Sequence, residues 1–175
     1  MNYFEIPNKS VIAQDSLDWA FSSSSEWFEY YNFKAKVLPM GLVTKDPFFE
    51  WLNKHYEFVP GVLKIDPYTC YDWHTDTRRG VGINMLLTDN SKSYCAFKME
   101  QDKLVFKINE LKYKPNTYYV FNTQVPHTVY NFETTRYLFS LDFAKPKDEL
   151  SFHSLVKHIQ NEWKPDGIYP THQLS

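Results

Sequence analysis

Between residues 59 and 144 the chain is cut into short β-like runs by turn-forming residues, and this limits the folds open to it more than any other feature. The runs are 59–66, 71–76, 81–88, 93–98, 103–109, 117–122, 126–131 and 135–144. Asp66-Pro67, Arg79-Gly80, Asp89-Asn90, Gln101-Asp102 and Lys114-Pro115-Asn116 separate them. Aromatic residues make up 18% of the chain, which excludes disorder and favours strands around a flat-walled pocket. Eight short strands between flanking helices predict a mainly β fold. The expected architecture is a double-stranded β-helix, a cupin-like jelly roll whose flared interior holds a ligand or a metal.

The 175 residues suit one domain, with the jelly-roll core over about 59–144. A helical flank is expected over 45–56, where Asp46 can accept a hydrogen bond as N-cap and Pro47 suits the first helical position. Phe48, Trp51, Leu52 and His55 then recur at helical spacing. A last helix is expected over 147–163, opened by Pro146, with Asp148 and Glu149 complementing its dipole. Phe152, Leu155, Val156, Ile159 and Trp163 form its apolar stripe. The first forty residues carry little signal beyond a short helix over 26–31 capped by Ser25.

Charge is nearly balanced, 19 basic against 21 acidic residues, so nothing electrostatic points to nucleic acid or a membrane surface. Two cysteines, Cys70 and Cys95, are too few for a disulfide scaffold. No basic start precedes an apolar stretch, and no apolar run approaches the roughly 20 residues of a membrane span. A cytoplasmic protein with reduced thiols is the expectation.

His74-Thr75-Asp76 lies on the second predicted strand, where alternate side chains share a face ~7 Å apart. A third ligand from another strand would complete two histidines and one carboxylate, the facial set of non-haem Fe(II) oxygenases. His127, just after Pro126, is the best candidate. With six His and eleven Asp in the chain, His-x-Asp arises by chance about 0.4 times, so the triplet alone is weak. Arg136, nine residues beyond His127, sharpens the pattern, although the conjunction still falls to chance about one time in seven. If Phe132 and Glu133 form a two-residue turn, His127 pairs with Leu138 and Arg136 lies opposite Val129 on the same face. A five-carbon diacid chelating the ion at one end would place its far carboxylate within reach of that guanidinium, which calls for 2-oxoglutarate. An interior Arg without a partner anion would be costly.

The segments Tyr71-Asp72-Trp73-His74-Thr75-Asp76, Gly82-Ile83-Asn84-Met85-Leu86-Leu87 and Phe121 through Pro126-His127-Thr128-Val129-Tyr130-Asn131 to Arg136 resemble the Fe(II)/2-oxoglutarate-dependent dioxygenase superfamily. Within it, the chain looks like small members of the prolyl hydroxylase-like and aspartyl/asparaginyl β-hydroxylase-like groups, over residues 60 to 144. The resemblance implies His74, Asp76 and His127 as iron ligands and Arg136 as anchor of the co-substrate. The latter group's best-known hydroxylase lacks the metal-binding carboxylate, whereas Asp76 is present here. Several members use a Tyr, Asn or Ser on early strands as a second co-substrate contact, for which Tyr68, Tyr71 and Asn84 are the candidates. The implied activity uses Fe(II), 2-oxoglutarate and O₂, releases succinate and CO₂, and hydroxylates an unactivated C–H bond of a peptide side chain or small molecule.

Blander readings stand beside these. Asn84 serves equally as a cross-strand hydrogen-bonding residue. Arg78 and Arg79 reach an anion or are solvated turn residues, and Lys64 is a weaker anion contact. His153 and His158 read as surface residues, and Cys70 as a small buried residue near the mouth. The alternatives are a non-catalytic jelly-roll binding module, a cupin metalloenzyme without 2-oxoglutarate, and a zinc hydrolase.

Overall fold

In the computed structural model, which describes residues 1–30, 33–88, 92–99 and 105–165, eleven strands and four helices are found among those residues. In chain order they are β1 (Tyr3–Lys9), α1 (Ala13–Ser22), β2 (Phe28–Tyr30), β3 (Phe33–Val37), α2 (Met40–Val43) and α3 (Pro47–Asn53). There follow β4 (Phe58–Ile65), β5 (Thr69–His74), β6 (Gly82–Leu86), β7 (Ser93–Lys98), β8 (Ile108–Glu110), β9 (Thr117–Phe121), β10 (His127–Asn131), β11 (Arg136–Phe143) and α4 (Phe152–Glu162). Two antiparallel sheets result, a major one in the order β1-β9-β6-β11-β4-β3-β2 and a minor one in the order β5-β10-β7-β8. This is the jelly roll expected from the turn spacing.

The major sheet packs its outer face under the helices. Ile83, Met85, Val120, Phe139 and Leu141 meet Phe48, Phe49 and Leu52 of α3 and Phe152, Leu155 and Ile159 of α4 in one buried cluster. Each such side chain contributes about 1.5–3 kcal/mol by leaving water. Asp46 caps α3 as its sequence position implies, accepting from the Phe48 N–H at 3.0 Å. Its carboxylate also accepts from Asn8, the Val11 N–H and the Tyr118 hydroxyl, so a fully buried charge is well satisfied.

Several expectations are corrected. The segment proposed as a helix over 26–31 instead holds β2, with residues 31–32 outside the described residues; its Phe28 and Tyr30 register against Ala35 and Phe33. The first forty residues supply β1, α1, β2 and β3, all joined to the major sheet or its helical cover. The run 103–109 retains only Ile108–Glu110 as strand, and 103–104 lie outside the described residues. The last helix starts at Phe152 rather than near Pro146, because Ser151 and Ser154 form a capping box there. His158 is half-buried rather than on the surface, its ring hydrogen-bonded to Tyr56.

The hairpin expected between β10 and β11 does not form. β10 pairs with β5 and β7, whereas β11 pairs with β4 and β6 in the other sheet. The buried Asn131 amide donates to the carbonyls of Asp66 and Thr134, each at 2.8 Å, and fixes the crossing between sheets. His127 and Arg136 therefore approach one interior from opposite walls.

Candidate metal centre and anion pocket

His74 ends β5 and His127 begins β10, and the antiparallel register sets these two residues directly opposite one another. Their ring centroids are 4.2 Å apart. Each Nδ1 faces a main-chain carbonyl, Asp72 O at 2.7 Å for His74 and Val125 O at 2.9 Å for His127. A carbonyl only accepts, so Nδ1 carries the proton and Nε2 keeps its lone pair for an ion. Burial lowers the His127 pKa to about 4, helped by the charges of His74 and Arg79 and opposed by Val125 and Asp76, so the imidazole is neutral near pH 7.

Asp76 lies just past β5 rather than within it, its N–H donating to Thr123 O at 3.0 Å. Gln124 Nε2 donates to the main-chain oxygens of Asp76 and Arg79, and Thr123 Oγ1 to that of Arg79 at 2.6 Å. The 76–79 turn is thus fastened to the segment that leads into His127. Arg79 Nε and Nη2 both hold Asp76 Oδ2 at 2.7 Å. Burial alone would pull the Arg79 pKa down, but the Asp76 and Asp142 carboxylates raise it.

The other oxygen, Asp76 Oδ1, sits 3.6 Å from His74 Nε2 and 3.8 Å from His127 Nε2. One ligand atom from each of the three residues falls within 4.8 Å of the others. Neighbouring donors on an octahedral ion are about 3 Å apart, so one divalent cation suits this set with small side-chain shifts.

Behind the triad, between the sheets, lies a cavity of about 530 Å³. Arg136 enters it from the major sheet and is 1% exposed. Its Nη1 donates to Ser93 Oγ at 2.7 Å, while Nε and Nη2 have no hydrogen-bond partner among the described residues. A buried guanidinium with two idle donors costs several kcal/mol unless an anion occupies the space before it. Its Cζ stands 5.3 Å from the Tyr113 ring. Tyr113 interacts with Asn84 and Cys95, and burial pushes its phenol well above the usual value. Burial likewise pushes the Cys95 thiol up to about 11, so it is protonated.

Of the proposed second contacts, Asn84 lines the cavity with its Oδ1 unpartnered among the described residues. Tyr71 lines it too, its ring 3.9 Å from that of His74. Tyr68 is a correction. It occupies a left-handed turn position with φ 57° and is 79% exposed, away from the cavity lining. Lys64 pairs with Asp66 at 3.2 Å instead of facing the cavity, and Cys70 is exposed. Ser93 and Tyr113 were not singled out by the sequence reading. Alternation of Leu111 and Tyr113 with Lys112 and Lys114 was the available signal.

No protein-family model and no curated relative matches the chain. Solved structures do. A prolyl-4-hydroxylase of Pseudomonas putida aligns with TM-score 0.58 at 11% identity, over 82% of this chain and 92% of that one. The viral collagen prolyl hydroxylase of Paramecium Bursaria Chlorella virus-1, in its 2-oxoglutarate complex, aligns with TM-score 0.56 at 12% identity, over 82% and 95%. A prolyl hydroxylase from Trichoplax adhaerens, bound to a peptide of the hypoxia inducible factor oxygen degradation domain, aligns with TM-score 0.58 at 12% identity, over 88% and 86%. The chain has the fold of the Fe(II)/2-oxoglutarate oxygenases.

Proposed function

We propose that this chain is an Fe(II)- and 2-oxoglutarate-dependent oxygenase that hydroxylates an unactivated C–H bond of a peptide side chain or small molecule. The observation that carries the reading is Arg136: a buried guanidinium with two donors idle among the described residues, set behind two histidines and a carboxylate close enough to hold one cation. Neither a bare binding module nor a zinc hydrolase accounts for both features. His74 Nε2, His127 Nε2 and Asp76 Oδ1 would hold the metal. Arg136, with Ser93 beside it, would hold the distal carboxylate of the co-substrate through parallel charge-assisted hydrogen bonds. When bound, iron and 2-oxoglutarate supply the oxidation, in which O₂, 2-oxoglutarate and R–H become succinate, CO₂ and R–OH.

The chain's own residues bind and orient. The carbonyls of Asp72 and Val125 fix both imidazoles with Nε2 toward the ion, and Arg79 leaves one Asp76 oxygen for it. Phe121 and Phe97 flank His127 and restrict water around it. Anaerobic titration with Fe(II) and 2-oxoglutarate tests the reading. A visible charge-transfer band should grow to one equivalent of each. Tight metal binding with no band on adding 2-oxoglutarate would reject the co-substrate.

A further inference from the structure

Among the described residues the major sheet has seven strands and the minor sheet four, and part of the major sheet's inner face stays exposed as a ledge. On that ledge Phe28, Val37 and Val59 are 46%, 49% and 56% exposed, although they share the face that Leu63 and Ser140 present to the cavity. A trough of about 210 Å³ runs across β2, β3, β4 and β11 there. Its floor is made of small residues, Ala35, Gly61 and Ser140, and its walls of Phe28, Tyr30 and Val59. A Cβ on Gly61 would lie 3.1 Å from the Lys36 carbonyl oxygen, a tight contact that glycine avoids.

The trough adjoins the metal cavity, since Tyr30, Val59, Leu63, Arg79, Ser140 and Asp142 line both. At the junction sits Asp142. Its side chain is half-exposed, and its enclosed Oδ1 faces Arg79 Nε at 3.9 Å without accepting a hydrogen bond among the described residues, while the same guanidinium holds Asp76 at 2.7 Å. The Arg79 charge at 3.9 Å satisfies that oxygen only in part, and a donor brought by a ligand would complete it. A closed apolar cavity of about 150 Å³ already holds a benzene ring, so this volume suits one branched aliphatic or one aromatic side chain. The far end, by Phe28 and Val37, is open, which lets a chain continue past the trough.

We infer that the trough is the subsite for a peptide residue adjacent to the one that reacts, and that it takes an aliphatic or aromatic side chain whose neighbouring N–H donates to Asp142 Oδ1. The inference rests on the oxygenase reading for which end of the trough faces the chemistry. It commits the substrate to an apolar residue beside the hydroxylated position, with charged and glycine neighbours disfavoured.

The protein loaded with Mn(II) and 2-oxoglutarate is titrated with N-acetyl-leucine N-methylamide, following saturation transfer to the methyl protons and their relaxation by the metal. N-acetyl-glycine N-methylamide and free leucine serve as comparators. The leucine amide should saturate, with relaxation that grows with Mn(II) occupancy, and the glycine amide should not. Val59→Lys should weaken the leucine amide at least tenfold, Phe28→Lys, on an exposed position that lines the trough alone, should do so without changing Mn(II) affinity, and Asp142→Asn should weaken it several-fold. Equal behaviour of the leucine and glycine amides, or indifference to Val59→Lys, overturns the trough while leaving the oxygenase reading intact. Free leucine binding as tightly as the capped amide overturns the peptide assignment. Saturation transfer that depends on Val59 in a protein giving no Fe(II)/2-oxoglutarate band keeps the trough and removes the oxygenase.

Discussion

Along β11, Tyr137, Phe139 and Leu141 pack toward the helices, while Arg136, Leu138, Ser140 and Asp142 line the interior between the sheets. The two faces of one strand follow opposite rules. On the helix side, buried polar groups are few and mostly matched, as Asp46 shows with its several donors; among the described residues Trp163 Nε1 is the unpartnered one there. On the inner side, Arg136 Nε and Nη2, Asn84 Oδ1 and Asp142 Oδ1 are buried and make no hydrogen bond among the described residues, Asp142 Oδ1 having only the Arg79 charge at 3.9 Å. Folded proteins leave few such atoms, so their concentration on one face marks where stability has been given up for a ligand.

The two faces separate most sharply under substitution. His74→Ala or His127→Ala removes one of three ligands from the inner side and should abolish stoichiometric metal and all succinate formation, while the helix-side core keeps the protein folded. Metal analysis and a succinate assay check this. Retained turnover in either variant would break the assignment of the triad.

Phe139→Ala acts on the other face, where the ring is fully buried against Phe49 and Tyr118. It should lower unfolding free energy by about 3–5 kcal/mol in urea denaturation. Whatever fraction stays folded should bind 2-oxoglutarate with wild-type affinity.

Arg136→Leu inverts that outcome from a position two strand residues short of Leu138. Removing a buried charge with idle donors should leave stability unchanged or higher by as much as about 1–4 kcal/mol. Affinity for 2-oxoglutarate should fall by about 2–5 kcal/mol, measured by calorimetry on the Mn(II)-loaded protein. Loss of stability without loss of affinity would mean that Arg136 belongs to the packing.

This contrast also explains how far the sequence could be read. Turn dipeptides exposed the strands of the core, because a jelly roll breaks its chain at regular intervals and Pro, Gly, Asn and Asp signal those breaks. His74, Asp76, His127 and Arg136 could be picked out because their combined spacing, weak in each part, matches what the resemblance implies for iron ligands and a co-substrate anchor. The N-terminal strands escaped notice because Phe28–Tyr30 and Phe33–Val37 are short, and the Trp27-Phe28 and Tyr30-Tyr31 pairs offer no clear alternation. The sheet partner of β11 was misassigned for a different reason. A turn of Phe132 and Glu133 is locally compatible with a hairpin, and long-range bonds, those of Asn131 to the end of β4 and of Phe132 to Tyr68 and Lys92, send the chain across to the other sheet. Tyr113 was missed because it lies on the connection before β9, and its role depends on Asn84 and Arg136 from distant strands.

Arg79 is the place where the inner face does satisfy itself, and it gives the smallest effect of the series. Two opposing influences act in Arg79→Gln. Deleting a cation beside Asp76 strengthens the carboxylate's pull on a divalent ion. Deleting the clamp on Oδ2 lets the carboxylate rotate, so that Oδ1 no longer stands ready beside the two imidazoles. Partners that orient a metal ligand are typically worth 10- to 100-fold in affinity. The charge contribution is reduced because Asp142 already offsets part of the guanidinium charge from 3.9 Å. Arg79→Gln should therefore weaken Mn(II) binding about 10- to 100-fold, with partial recovery in Arg79→Lys. Tighter binding in the Gln variant would make the guanidinium a competitor of the metal, and orientation of Asp76 would then rest on the Thr123 and Gln124 contacts to the turn.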